Sequence, residues 1–220
     1  MKKFIICAVV AVFAMFFASC EKEEVTGSVH HENVSLNIQP DIAGVSVTTR
    51  AAISSFPTGA TVGLFVTSGA LGSDYNGVSV NSNVKSVLSG SIWTQTPAVY
   101  LSSADATVYA YYPYSSSNGD GSAIPVDHAS QNDFMYGTHT SGQPSINNGN
   151  PNVNLTMNHA LTLLQFKISR SNYTGAGVVT TIDVANAAGK TCIYSNGTLN
   201  IATGVITNTC LLYTSDAADE

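Results

Sequence analysis

The chain has 220 residues, of which only 10% are charged, and its formal net charge at pH 7 is −6. Proteins that bind nucleic acid draw most of their affinity from clustered lysine and arginine side chains, so this charge balance argues against a nucleic-acid partner. The length allows one large domain or two small ones after a targeting segment is removed.

The N-terminus has the layout of a bacterial lipoprotein signal. Lys2 and Lys3 precede an uninterrupted apolar run at residues 4–18, which matches the core of a signal peptide and is too short to span a bilayer comfortably. Small residues then lead into Cys20, as in a lipobox. This predicts a signal peptide at residues 1–19 and acylation of Cys20, where several acyl chains would give a durable membrane anchor. The alternative is a plain secretory signal in which Cys20 is a bystander.

Short segments of alternating apolar and polar residues, separated by glycine, proline, asparagine and serine, make up most of the remaining chain. Alternation with a period of two predicts strands that bury one face. The predicted strands are, in chain order, residues 34–39, 44–49, 61–66, 107–114, 152–158, 160–169, 178–186 and 197–207. With no convincing helical period between them, they predict an all-β fold of the β-sandwich class. A domain near 150 residues buries roughly 70% of its unfolded surface, which is enough to fold without disulfides.

Arg50 lies between an alternating segment and an uncharged one, and it is one of only two arginines in the chain; the other is Arg170. Residues 51–55 are mostly small and not suited to tight packing, so a protease could reach them. The alternating segment at Gly44–Thr49 would then be a strand that cleavage makes removable. From the residues alone, a processing site and an ordinary solvated arginine remain equally open.

The chain carries no recognisable catalytic constellation. It has no HExxH, no G-x-S-x-G, no P-loop and no CxxC pattern, which predicts that it is not an enzyme and binds no cofactor or metal. Asp127 and His128 are interpreted as a solvent-facing turn, and His159 as a structural residue at the start of a strand. The loop at residues 115–122 lacks the spaced carboxylates of a calcium-binding loop. Together with residues 141–152, it is predicted to be an exposed loop.

The last eleven residues, CLLYTSDAADE at 210–220, break the preceding pattern. They match an in-frame translation of a transposase adapter used to prepare sequencing libraries, which predicts that the native sequence ends at about Thr209. The alternative is a genuine but unusual tail. Cys7 lies in the signal, Cys20 is the acylation site and Cys210 falls in this tail, so Cys192 alone remains and no internal disulfide is predicted.

Several segments, taken in order, resemble the fimbrillin-like family of Bacteroidota. They are TTRA before TVGLFV, then TVYAYYPY, DFMYG, MNHALTLLQFKIS and GTLNIATGVI. The resemblance implies two transthyretin-like β-sandwich domains, of which residues 51–209 would be the N-terminal one and the second would be missing. Residues 20–50 would be a lipid-anchored tether with a removable leader strand. The stretch Glu21-Lys22-Glu23-Glu24 resembles the acidic signal that sends lipoproteins of this phylum to the cell surface, and the alternative is a simple solvated tether.

The resemblance also implies a mechanism. Shaft subunits of the family are cleaved after an arginine by a trypsin-like surface protease; Arg50 matches that position and Ala51 would become the new N-terminus. Loss of the leader strand would leave an unpaired edge that a donor strand from a neighbouring subunit fills. Such head-to-tail contacts do not close, so they build a filament. The expected function is therefore a structural subunit of a cell-surface fimbria, exported to the outer membrane as a lipoprotein and partnered by other fimbrial subunits.

A second interpretation keeps the lipid and the leader in place. The protein would then be a non-polymerising surface lipoprotein, either a pilus anchor or an adhesin that binds host or bacterial glycans or proteins through its tyrosine- and asparagine-rich loops. An enzyme on a β-sandwich is disfavoured because no site signature is present. The N-terminus of the surface protein separates the first two interpretations, since Ala51 indicates processing and acylated Cys20 indicates anchorage.

Overall fold

The computed structural model describes residues 34–44, 53–162, 166–188 and 194–211. These residues belong to one compact unit, residues 31–220, whereas the unit formed by residues 1–30 lies outside the description. Within the described residues there are twelve strands and two short 3-10 turns. The strands are β1 Val34–Ser35, β2 Asn37–Ile42, β3 Thr61–Thr67, β4 Val84–Ser89, β5 Ile92–Thr96, β6 Tyr100–Leu101, β7 Thr107–Tyr112, β8 Ile124–Asp127, β9 Met135–His139, β10 Asn152–His159, β11 Tyr194–Leu199 and β12 Ile206–Leu211.

The strands form one large sheet and two small ones. The large sheet has seven strands in the order β2-β10-β9-β7-β3-β4-β5. Its neighbouring strands run antiparallel, except that β2 runs parallel to β10. A three-stranded sheet has the order β12-β11-β8, and β1 pairs with β6. The two edge strands of the large sheet, β2 and β5, also contact each other, so the sheet curls toward a barrel.

Alternation in the sequence decides which way the side chains of the large sheet point. On β10, Val153, Leu155 and Met157 are buried while Asn152 and Asn154 are exposed, as expected for a strand with one wet face. β3 is buried on both faces from Val62 to Thr67 because it lies in the interior of the sheet and both of its faces are covered. The predicted strands at 61–66, 107–114 and 152–158 are confirmed in kind and position.

Apolar side chains collect in two clusters, one on each face of the large sheet. The main core contains Val62, Leu64 and Val66 of β3 together with side chains from β2, β4, β5, β6, β7, β9 and β10. The second core contains Phe65 of β3 and Tyr111 of β7, and it is covered by Ile124, Val126 and Leu199 from the three-stranded sheet. Two layers with cores of this kind confirm the predicted all-β sandwich class.

The predicted strands at 160–169 and 178–186 are not found where the structure describes those residues. Residues 166–188 contain no strand, and Phe166, Ile168, Val178 and Ile182 are exposed. Residues 163–165 lie outside the description. Alternation specifies which face a strand would bury, but a strand forms only beside a partner, and both edges of β10 are already paired, with β9 and β2. His159 is the last residue of β10, so it ends a strand and does not start one as the sequence predicted.

The predicted strand at 197–207 is instead a hairpin of β11 and β12. Asn200 makes the turn: its side-chain oxygen accepts the Ala202 N–H at 3.0 Å, and its carbonyl oxygen accepts the Gly204 N–H at 2.8 Å. Gly204 has a φ of +73°, which glycine adopts without strain. β12 extends to Leu211, two residues beyond Thr209, and the proposed artefact at 210–220 remains a prediction.

The Tyr111 hydroxyl group connects the loop after β7 to the sheet through hydrogen bonds. Its hydroxyl bonds to the Asn83 side-chain oxygen at 2.6 Å and to the Ser115 carbonyl at 3.0 Å, and it accepts the Ser115 N–H at 3.1 Å. Burial raises the pKa of Tyr111 because it disfavours the phenolate. The raised pKa means that Tyr111 stabilises the fold fully below pH 10 and that this contribution is lost as the pH rises through the folded-state value.

Tyr111→Phe is therefore expected to lower the free energy of unfolding by about 1–2 kcal/mol at pH 7. It is also expected to weaken the loss of stability above pH 10, as measured by urea denaturation at a series of pH values. Tyr100 is half exposed, so Tyr100→Phe is the matched control and should change neither quantity. Equal alkaline profiles for Tyr111→Phe and the unaltered chain would contradict this assignment.

Candidate functional site

The described strands upstream of Arg50, β1 and β2, are paired with strands of the sandwich. β2 is the edge strand of the large sheet and pairs with β10 from Asn37 opposite Asn152 to Ile42 opposite Met157. Beyond the ladder, the Ala43 N–H donates to the Met157 carbonyl at 2.7 Å. β1 pairs antiparallel with β6, with Val34 opposite Leu101 and Ser35 opposite Tyr100. We call β1 and β2, with Leu36 between them, the leader strands (residues 34–42).

The leader strands contribute three side chains to the main core. Leu36 and Ile38 are each 1% exposed and Ile42 is 7% exposed, whereas Asn37, Gln39 and Asp41 face the solvent. Fully burying an aliphatic side chain of this size contributes about 1.5–3 kcal/mol. Because β2 also contacts β5 across the curl of the sheet, it fills the gap between β10 and β5. Without it, the main core would be open along that gap.

The chain downstream of Arg50 is held by an independent set of contacts. The Ile53 N–H donates to Asp133 Oδ2 at 2.7 Å, and Asp133 Oδ1 lies 2.6 Å from His159 Nδ1. Both side chains of the Asp133–His159 pair are only 11% exposed. The two oxygens of the Asp133 carboxyl group thus contact two different parts of the chain, the Ile53 backbone and the His159 ring.

Aromatic packing holds the next few residues. The Phe56 ring meets Trp93 edge to face, with centroids 5.4 Å apart, and Tyr112 at 5.3 Å. Ile53 and Phe56 both pack against the main core. The segment at residues 53–56 therefore has its own hydrogen bond, to Asp133, and its own ring contacts, with Trp93 and Tyr112.

The two anchored parts of the chain meet near one end of β10. Ala43 is bonded to Met157, and Ile53 is connected through Asp133 to His159, two residues further along β10. The predicted site residues Cys20, Arg50 and Ala51 lie outside the described residues, as does most of the predicted leader strand at Gly44–Thr49. The described strand upstream of Arg50 is β2, which ends eight residues before it.

Asp133 is the residue of this site that sequence reasoning missed. It lies in the DFMYG segment, where its neighbours Phe134 and Met135 carry the strand pattern. Its partner is a backbone N–H 80 positions earlier in the chain, and a backbone group has no signature in a sequence. The only available signal was a carboxylate next to a buried strand, where a charge needs a partner.

One cleft on the described surface is small compared with a ligand pocket. A cleft of about 90 Å³ lies beside Phe65, Leu71, Asp74 and Asp120, whereas ligand pockets usually have volumes of about 300–1,000 Å³. Among the described residues, no cluster of histidine, cysteine, aspartate and glutamate could hold a metal ion. No helix found in the same residues is long and apolar enough to cross a bilayer.

Comparison with solved structures finds distant likenesses. A Bacteroides ovatus protein assigned to cell adhesion is 19% identical, with a TM-score of 0.48, 80% of this chain covered and 70% of that one. A Bacteroides uniformis protein with the same assignment is 15% identical, also with a TM-score of 0.48, and the coverage is 83% and 69%. A fimbrial protein of Bacteroides ovatus is 19% identical, with a TM-score of 0.34 and coverage of 57% and 28%.

Comparison at the level of families is more informative. No curated protein matches the sequence. The model of the fimbrillin-like family matches residues 49–219, which is well over half of the chain and includes the large sheet from β3 onward. The chain therefore belongs to the fimbrillin-like family.

Proposed function

We propose that the protein is a structural subunit of a cell-surface fimbria, exported as a lipoprotein acylated at Cys20, cleaved after Arg50 and polymerised by donor-strand exchange. One observation carries the proposal. The leader strands lie upstream of Arg50; they include the edge strand β2 and place three side chains in the main core. The segment at residues 53–56, downstream of Arg50, has its own hydrogen bond to Asp133. A cut between these two parts would separate a removable strand from a body that keeps its own N-terminal anchor.

Cleavage would change the leader strands from a covalent part of the sandwich into a bound peptide. Once they left, the outer edge of β10 from Asn152 to Met157 would lose its partner, and the main core would be open between β10 and β5. An unpaired strand edge beside an apolar groove is a template for another strand. A donor strand from the next subunit would restore the ladder with its backbone and the core with alternate side chains. Repetition of this contact from head to tail would extend a filament.

Export supplies the setting for this assembly. Acylation of Cys20 would hold the unprocessed subunit at the outer membrane, and residues 21–33 would connect it to β1. A trypsin-like surface protease would then release the subunit from its anchor at the moment it opens the groove. The role is structural, and no catalytic step by this chain is part of it.

The test uses Arg50→Ala in the complete protein, expressed in a bacterium that assembles fimbriae of this family. Trypsin-like proteases require a basic residue before the scissile bond. We therefore expect the variant to keep its acylated Cys20 and to form no filaments. Mass spectrometry of the N-terminus and electron microscopy of the cell surface measure the two outcomes. Arg170→Ala is the matched control and should be processed to Ala51 and assembled normally.

Filaments of normal length from Arg50→Ala would overturn the proposal. An unaltered chain that keeps acylated Cys20 at the surface would instead identify the protein as a non-polymerising lipoprotein, either an anchor or an adhesin.

A further inference from the structure

We propose that Asp133, oriented by His159, is a positioning residue that limits how fast a protease can engage the Arg50–Ala51 bond. The inference rests on the proposed function, because it concerns the same processing step. It adds a control element that lies 83 positions from the bond in sequence and on the opposite side of it from the leader strands.

The hydrogen bond between Ile53 and Asp133 is a strong anchor. Asp133 Oδ2 accepts the Ile53 N–H at 2.7 Å, and hydrogen bonds to a charged acceptor are about twice as strong as neutral ones. The carboxylate is 11% exposed, so water screens it poorly. His159 Nδ1, 2.6 Å from the other oxygen, prevents the carboxylate from rotating away. His159 Nε2 is buried without a hydrogen-bond partner among the described residues, so the ring has no competing contact there.

The anchor at Ile53 also lies close in sequence to the scissile bond between Arg50 and Ala51. Only Ala51 and Ala52 separate the scissile bond from Ile53. A protease binds its substrate in an extended form on both sides of the bond, so the residues that follow Arg50 must leave the fold before they can enter the protease cleft. Opening the Ile53–Asp133 hydrogen bond would free the chain as far as the next anchor, the Phe56 ring between Trp93 and Tyr112. The rate of cleavage then follows the population of this locally opened state.

The charge of Asp133 also affects Tyr112, which packs on the next anchor, the Phe56 ring. The pKa of Tyr112 is raised, first by burial and then by the negative charge of Asp133. Tyr112 packs on Phe56, so Asp133, Tyr112 and Phe56 form one continuous group beneath residues 53–56. Removing the charge of Asp133 would therefore lower the pKa of Tyr112 even when the overall fold is unchanged.

The experiment compares cleavage of the folded full chain by an arginine-specific protease at its two arginines. Arg170 lies on an exposed segment and serves as an internal control in every sample. Asp133→Ala and the milder Asp133→Asn are expected to speed cleavage at Arg50 by about tenfold or more, as the loss of a charged hydrogen bond predicts. Cleavage at Arg170 should stay within about twofold of the unaltered rate. Asp120→Ala is the matched control, because Asp120 also accepts a backbone N–H, from Ser122 at 2.8 Å.

A second measurement does not depend on the protease. Hydrogen exchange at the Ile53 amide should accelerate by a similar factor in both Asp133 variants, and the pKa of Tyr112, followed by NMR, should fall. A general structural defect would instead also speed hydrogen exchange at amides of the ladder between β3 and β4, and that outcome would overturn the inference.

Two further outcomes separate this inference from the proposed function. Equal cleavage rates at Arg50 in all variants would overturn the role of Asp133 and leave processing intact. Cleavage at Arg170 but never at Arg50, in any variant, would overturn both.

Discussion

A chain that begins at Ala51 is expected to lose about 5 kcal/mol or more of its free energy of unfolding, because Leu36, Ile38 and Ile42 each contribute about 1.5–3 kcal/mol through burial. The ladder between β2 and β10 is lost as well. Single domains have total stabilities of only about 5–15 kcal/mol, so the shortened chain should be partly unfolded or aggregated. Urea denaturation of the shortened and full chains measures the difference.

The same experiment has a rescue arm. A synthetic peptide of residues 33–44, added to the shortened chain, should raise the denaturation midpoint in proportion to the logarithm of its concentration. The matched control peptide carries Ile38→Asp, which would place a charge in the main core and should not rescue. A shortened chain as stable as the full chain would contradict the view that β2 closes the core.

Gly137→Ala is expected to have the second largest effect, a loss of about 3 kcal/mol or more, which is at the upper end for point substitutions. Gly137 lies in β9 between β7 and β10. A Cβ there would overlap the carbonyl oxygen of Thr156 and come within 2.8 Å of its carbonyl carbon. Both are backbone atoms of β10, so no change of rotamer can relieve the clash and the two strands would have to separate.

Thermal denaturation of Gly137→Ala measures this effect. Gly119→Ala is the matched control, since a Cβ at Gly119 meets nothing within 4 Å and should change the stability by less than about 0.5 kcal/mol. Similar melting temperatures for the two variants would show that β9 and β10 can separate at little cost.

The sequence predicted the fold class because β-sandwiches carry their pattern locally. The alternation at Val153, Leu155 and Met157 specifies a half-buried strand wherever its partners are, and the structure confirms it. The same kind of alternation at Phe166 and Ile168 does not produce a strand in the structure. Alternation with a period of two indicates which face of a segment would be buried. Whether a neighbouring strand is available for pairing depends on the topology of the whole chain. The parallel pairing of β2 with β10 across more than 100 residues is likewise invisible to a local pattern.

The candidate site likewise combines residues that local signals predict with residues that only the fold brings together. Cys20 and Arg50 were predicted from short local signals, namely the end of an apolar run and an isolated charge, and both stay predictions because they lie outside the described residues. Ile53, Asp133 and His159 come together only through folding. His159 could be recognised in the sequence as structural, but its partner could not be identified, because a salt-bridge partner is specified by spatial position and not by spacing.

The ladder between β2 and β10 has a mechanical consequence. Its six residue pairs lie side by side along the full length of β2. If a donor strand took this place in a filament, tension would pull the strand lengthwise, and the hydrogen bonds would carry the force together instead of opening one after another. Rupture under force is governed by the rate of unfolding and not by the equilibrium stability. We therefore expect a fimbria of such subunits to hold a bacterium against flowing liquid until an entire ladder slips at once.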